Sequence, residues 1–258
     1  MGDDGEKKTS NRIRDAIMSL TTAGGTSQQA FNNTSKVVDQ LGMAIVSGDY
    51  AEQTMIPLDP DLEEMFGVSR TVIREAKKTL VGKGLLQSKA KVGTRVRPSS
   101  DWSMFDPDVL RWHASLRKPG PFMNELHEIR LIFEPAAAAL VARRGLGEEC
   151  AALTAECEHM AAAEDYVSYA VANIEFHTSI LHMSGNRFLS SLGDMVQAAL
   201  FSVYRLGYDN ARINPDGNVQ QASIDTYWQI VEAIRAKDAK RAETTMADAI
   251  ALFKANIS

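Results

Sequence analysis

The ten residues Gly67-Val68-Ser69-Arg70-Thr71-Val72-Ile73-Arg74-Glu75-Ala76 constrain the fold of this chain more than any other stretch. Gly67 and Val68 suit a tight turn. Ser69 suits a helix N-cap, where its hydroxyl can accept from an orphan N–H of the first turn. The helix that follows is predicted from Arg70 to about Gly82. At about 100° per residue it places Arg70, Arg74, Lys77 and Lys78 on one side, and Val72, Ile73, Ala76 and Leu80 on the other. One face packs while the other is cationic, as a helix entering a DNA major groove requires.

The distribution of charge agrees. Between Ser69 and Arg97 stand nine of the 28 basic residues and only one of the 33 acidic ones, in a chain whose net charge is −5. A basic island in an acidic protein points to a localised polyanion site. A solvated charged helix would account for a charge run alone, but not for turn, cap, stripe and downstream basic hairpin together.

Around this helix the chain divides into four stretches. Residues 1–35 are polar and rich in Gly and Thr and read as a flexible arm, although Ile13, Ile17 and Leu20 could form a short helix. Residues 36–98 read as a winged helix-turn-helix. A helix carries Val37, Val38, Leu41, Ala44 and Ile45 and ends at Ser47-Gly48-Asp49. A second helix over Asp59–Phe66 turns Leu62 and Met65 inward, and the cationic helix follows. Two short strands, Leu85–Ser88 and Thr94–Arg97, flank a hairpin tip at Lys89–Gly93. Residues 99–121 form a proline-punctuated linker with a short helix over Val109–Leu116. Residues 122–258 read as helices only: Phe122–Arg144, Glu148–Ala163, Tyr166–Met183, Asn186–Leu206, Val219–Ala236 and Ala239–Asn256. The fold class is mainly α, a winged helix-turn-helix followed by an all-helical bundle.

Composition narrows the setting. Cys150 and Cys157 lie in a helical pattern without metal-ligand or redox spacing, and are expected to be buried thiols in a reducing compartment. The acidic N-terminus lacks the apolar stretch of a signal peptide, and no apolar run is long enough to span a bilayer. A cytoplasmic protein without membrane contact is expected.

The stretch from Val37 to Val96 resembles the DNA-binding domain of GntR-family bacterial transcription regulators. The resemblance rests on Ser47-Gly48, Pro57, Leu62, Phe66-Gly67-Val68-Ser69-Arg70, Ile73-Arg74-Glu75-Ala76, Leu80, Gly84-Leu85 and Gly93-Thr94-Arg95-Val96. The helical part is similar to the FCD-type effector domain of the FadR subgroup. Its landmarks are Glu128-Ile129-Arg130 with Glu134-Pro135, Phe176-His177, Ser184-Gly185-Asn186, and Ile230 with Ala233-Ile234. The linker, with Asp101-Trp102 and Asp106-Pro107-Asp108-Val109-Leu110-Arg111-Trp112, is most like that of regulators of galactonate-type sugar-acid catabolism.

The resemblance implies a homodimer that binds double-stranded DNA at a palindromic operator, acts mostly as a repressor, and is released by a small carboxylate held in the helical domain. On the DNA side Arg70 and Arg74 are expected to read bases, since an arginine can donate twice to guanine. Ser69, Thr71, Lys77 and Lys78 are expected near phosphates, and Lys89, Lys91 and Gly93 at the wing. Each lysine could equally be a solvated side chain. Many relatives carry an arginine in a pattern like Pro-x-Glu-Arg-Glu-Leu that reaches DNA. Here Pro60 stands in its place within Pro57-Leu58-Asp59-Pro60-Asp61-Leu62.

In the effector domain the family's divalent metal is held by an aspartate, a histidine four residues later and two further histidines. These positions correspond to Asn173, His177, Tyr227 and Ala249, of which only His177 is a good ligand, so no metal and no other cofactor are expected. Asn173, His177 and Tyr227 would then line an effector cavity or form a satisfied polar core. Arg130 could clamp a ligand carboxylate or pair with Glu134, and Arg205 is a second candidate cation. Met160, Met183 and Met195 are expected in the core. A ligand-sensing helical protein without specific DNA binding, or a helical metalloenzyme, are the alternatives. The chain has no HExxH, Gly-rich phosphate loop, GxSxG or reactive Cys–His arrangement to support catalysis.

Overall fold

The computed structural model of the protein describes residues 33–89, 92–116, 120–144, 150–211 and 220–255. All but the last residues of the expected N-terminal arm therefore lie outside the described residues. The chain falls into two compact units that meet between Pro119 and Gly120.

The N-terminal unit is a winged helix-turn-helix. Helix α1 (Asn33–Val46) buries Val37, Val38, Leu41 and Ile45, a single face at helical spacing. Helix α2 (Asp59–Phe66) has Pro60 in its first turn, where a missing N–H costs nothing. It stops at Gly67, whose left-handed backbone (φ 62°) is what glycine adopts without a Cβ penalty. Helix α3 (Arg70–Gly82) buries Ile73, Ala76 and Leu80 and leaves its arginines outside. Strands β1 (Leu86–Lys89) and β2 (Gly93–Val96) pair antiparallel, Leu86 opposite Val96 and Lys89 opposite Gly93. Their inward Leu86 and Val96 complete the core.

Two local expectations need correction. Met65 does not face inward; it is 59% exposed. A helix of about two turns offers a narrow contact, and Leu62 with the half-buried Phe66 fills it. Ser69 stands at the N-cap of α3, but its hydroxyl makes no capping bond and is exposed.

The stretch read as a linker packs on this same unit. A 3₁₀ turn (Ser99–Asp101) leads to helix α4 (Pro107–Ala114). Asp106 caps α4 by accepting from the N–H groups of Asp108 (3.0 Å) and Val109 (3.3 Å). Trp102, Val109 and Trp112 join the core of α1–α3. Trp112 lies so close to Gly42 that a Cβ there would stand 2.4 Å from the indole. Its ring N–H donates to Asp39 at 3.2 Å. Lys83, at the end of α3, reaches Asp106 and Asp108, each at 2.8 Å.

The C-terminal unit is all helical: α5 (Gly120–Arg144), α6 (Cys150–Ala161), α7 (Tyr166–Met183), α8 (Arg187–Ser190), α9 (Gly193–Ala211), α10 (Gln220–Arg235) and α11 (Ala239–Ala255). Helix α5 packs along α11, and Ala137, Ala138 and Ala142 of the first and Ala242 and Met246 of the second are fully buried. Met160 and Met195 are buried as expected, and Met183 is half-buried. The single helix expected over Asn186–Leu206 is two. Asn186 caps the four-residue α8 by accepting from the Phe188 N–H. The Ser191 hydroxyl donates to the Phe188 carbonyl, and the Leu192 N–H turns to Leu189 instead, just where the ladder breaks. No described helix is long and apolar enough to cross a membrane.

Candidate DNA interface and buried polar cluster

On the N-terminal unit, α3, the start of α2 and the wing enclose a groove of about 680 Å³. Arg70, Arg74, Lys77 and Lys78 line one wall, Lys89 and Gly93 the wing side, and Leu58 and Pro60 the α2 edge. The helical register of α3 puts the first four on one stripe. The hairpin register puts Lys89 opposite Gly93, whose φ of 117° suits glycine. Thr71 is exposed at the start of α3. Lys91 lies outside the described residues.

These cations are not equivalent. Arg70, Arg74 and Lys89 are exposed and make no ion pair among the described residues. Lys77 is largely buried and donates to Asp59 at 2.7 Å. Lys78 stands 3.8 Å from Glu75, both well exposed, which is a weak surface pair. The Lys77–Asp59 pair escaped the reading from sequence because eighteen positions separate the two, and only the packing of α2 on α3 joins them.

In the C-terminal unit the structure gathers Arg130, Glu134, Asn173, His177 and Tyr227, all buried. Arg130 and Glu134 are one turn apart on α5. The Arg130 Nε–H donates to Glu134 Oε1 at 2.5 Å, so the guanidinium both points inward and pairs with its neighbour. From α7, His177 brings Nδ1 to 2.5 Å from the other Glu134 oxygen. Its Nε2 lies 3.1 Å from the Tyr227 hydroxyl of α10. Asn173, one turn before His177, directs its amide N–H at the Met160 sulfur (3.6 Å) and leaves its Oδ1 without a partner. The Arg205 side chain lies outside the described residues.

Electrostatics fix the proton positions. Burial alone would raise the Glu134 carboxyl, but the Arg130 charge and then His177 outweigh it and hold the group at about 2. The His177 charge is itself suppressed by burial, which lowers this imidazole below its ordinary value. Arg130 is therefore the charge that keeps Glu134 ionised, and a neutral His177 contributes through its Nδ1–H. Burial pushes the Tyr227 phenol up, so its O–H donates to His177 Nε2. The 3.4 Å approach of Arg130 Nη2 to Nδ1 then sets donor against donor and adds nothing. The cluster is neutral as a whole. The sequence spacing exposed the Arg130–Glu134 pairing at i, i+4, but not the bond from His177, forty-three positions away.

The cysteines are free and buried. Burial, reinforced by Glu156, raises the Cys157 thiol to about 12, far from the thiolate a nucleophile needs.

Comparison with known proteins covers both units. The family described as bacterial regulatory proteins, gntR family, matches residues 33–96, and the FCD domain matches residues 125–252. The HTH-type transcriptional regulator YieP of Escherichia coli (strain K12) is 33% identical over 78% of this chain and 85% of its own. The galactonate operon transcriptional repressor of the same organism is 29% identical over 82% of this chain and 91% of its own. The HTH-type transcriptional repressor NanR of Salmonella arizonae is 26% identical over 81% and 78%. Among solved structures, Lar, which controls expression of the Listeria monocytogenes agr system, shares the fold with a TM-score of 0.60 at 17% identity, over 90% of this chain and 98% of that one. With its cationic recognition helix, its wing and its helical C-terminal unit, the chain belongs to the GntR family of bacterial regulators and is a DNA-binding transcriptional regulator with an FCD domain, not an enzyme.

Proposed function

We propose that the protein is a cytoplasmic homodimer that represses transcription from a palindromic operator and is released by a small carboxylate, such as a sugar acid. The observation that carries the DNA reading is the exposed, unpaired Arg70–Arg74 stripe facing the wing across one groove. Arg70 and Arg74 donate to guanine edges. Thr71, Ser69 and Lys78 meet phosphate, and Lys89 and Gly93 bring the wing to the backbone. Because Ser69 makes no capping bond, the first N–H groups of α3 keep their capacity for a phosphate oxygen. Two-fold symmetry sets the two half-sites about one DNA turn apart.

The effector reading rests on the buried cluster. Among the described residues Arg130 is the one cation in it, and a ligand carboxylate competes with Glu134 for the guanidinium. Displacing Glu134 releases the His177 Nδ1–H to the ligand, and Asn173 and Tyr227 supply further hydrogen bonds to the rest of it. The donor set does not fit a zinc- or nickel-type ion. Both imidazole nitrogens of His177 are engaged, Tyr227 keeps its proton, Asn173 is neutral and Ala249 offers no donor. We infer a site without resident metal.

Gel-shift titration of promoter fragments tests both halves. Arg74→Ala is expected to lose specific binding while remaining a dimer; unchanged affinity rejects the recognition helix. Arg130→Lys keeps a charge against Glu134 but loses the planar fork. It is expected to hold the operator normally and to need a much higher concentration of the sugar acid that releases the wild type. A normal response removes Arg130 from the effector site. One equivalent of zinc or nickel per purified chain overturns the metal-free reading.

A further inference from the structure

The α2 edge of the DNA groove presents no cation. Proline leaves no N–H at position 60. Asp61 accepts the Leu58 N–H at 3.2 Å, and Asp59 is held by Lys77. What the edge does present is hydrocarbon. Leu58 is 62% exposed and lines the same groove as Arg70 and Arg74, with Pro60 beside it. A single exposed leucine needs no explanation elsewhere on a surface. Here it borders a groove whose facing walls are arginine and lysine, where a polar side chain would be the ordinary choice for meeting a polyanion.

In the major groove the one apolar feature on a base edge is the C5-methyl group of thymine. We propose that Leu58 is a specificity-determining residue that packs on a thymine methyl in each half-site, beside the bases read by Arg70 and Arg74. The α2 edge then contributes to operator choice by a hydrophobic contact instead of a charged one. Pro60 serves this by withholding one first-turn N–H from phosphate. The inference rests on the groove being the DNA interface.

The test uses the full-length protein and an operator duplex recovered by selection from random DNA. Each thymine is replaced in turn by uracil, which deletes only the methyl group. One position per half-site is expected to weaken wild-type binding about fourfold, the worth of one buried methyl group. Leu58→Ala is expected to bind the unmodified duplex about as the wild type binds that uracil duplex, and to be indifferent to the replacement. A uracil series that is flat for the wild type, or equally steep for Leu58→Ala, overturns the assignment. Arg74→Ala separates the two levels. If it loses binding while the uracil series is flat, only the Leu58 contact fails. If it binds the selected duplex like the wild type, the groove itself is not the interface. A thermal melt unchanged by Leu58→Ala shows that the variant folds, as its exposure leads one to expect.

Discussion

Glu134 shows how much one buried residue can hold. It pairs with Arg130 on its own helix, joins α5 to α7 through His177, and is fully buried. Glu134→Gln keeps the shape but removes the one counter-charge that a buried guanidinium has among the described residues. Breaking such a pair costs about 3–5 kcal/mol, so a large fall in the denaturant midpoint of the C-terminal unit is expected. A loss under about 1 kcal/mol would place Arg130 in water. The pH dependence has a definite sign. The folded carboxyl titrates at about 2 and the ordinary one at 4.5, so its contribution is complete above 4.5 and drains away as pH falls towards 2. Acid titration of the wild type should show this loss below pH 4.5, and Glu134→Gln should lack it.

At the scale of elements, the packing of α4 on α1 leaves no room for a side chain at Gly42. Gly42→Ala drives a methyl group into the Trp112 ring. Overpacking of this kind costs about 1–3 kcal/mol, and calorimetry should show the N-terminal unit melting earlier. An unchanged melt means that α4 shifts away freely. The recognition helix was legible in the sequence at both ends, Arg70 and Gly82, because a turn glycine and an amphipathic stripe coincide there. Its ion pairs were not. Whether Lys77 is a free cation depends on Asp59, which the chain brings up from another helix. Asn186–Leu206 misled for a related reason: its apolar spacing continues through a break where the Ser191 hydroxyl, not a backbone N–H, meets the Phe188 carbonyl. Periodicity reports which face is apolar, but not where the backbone finds a better partner. The same limit applied to the buried cluster. Arg130, Asn173, His177 and Tyr227 could each be picked out, yet the bond from His177 to Glu134 needs α7 laid against α5.

On the scale of the whole molecule, a chain of net charge −5 meets DNA through one basic island. Each phosphate neutralised contributes about −0.9 to the slope of log affinity against log salt. Lys89→Ala should therefore flatten that slope by about 1 for each wing in contact. Lys77→Ala should flatten it less, because Asp59 already neutralises that ammonium. Anisotropy titrations across a potassium chloride series measure both; equal changes would show that Lys77 abandons Asp59 on DNA. The pairing inside the helical unit bears on the logic of the switch. A repressor has to stand guard before its inducer arrives, so its sensor must be well folded while unliganded. In the switch proposed above, the internal anion held against Arg130 lets the bundle fold without the metabolite, and an incoming acid acts as a rival instead of a missing part.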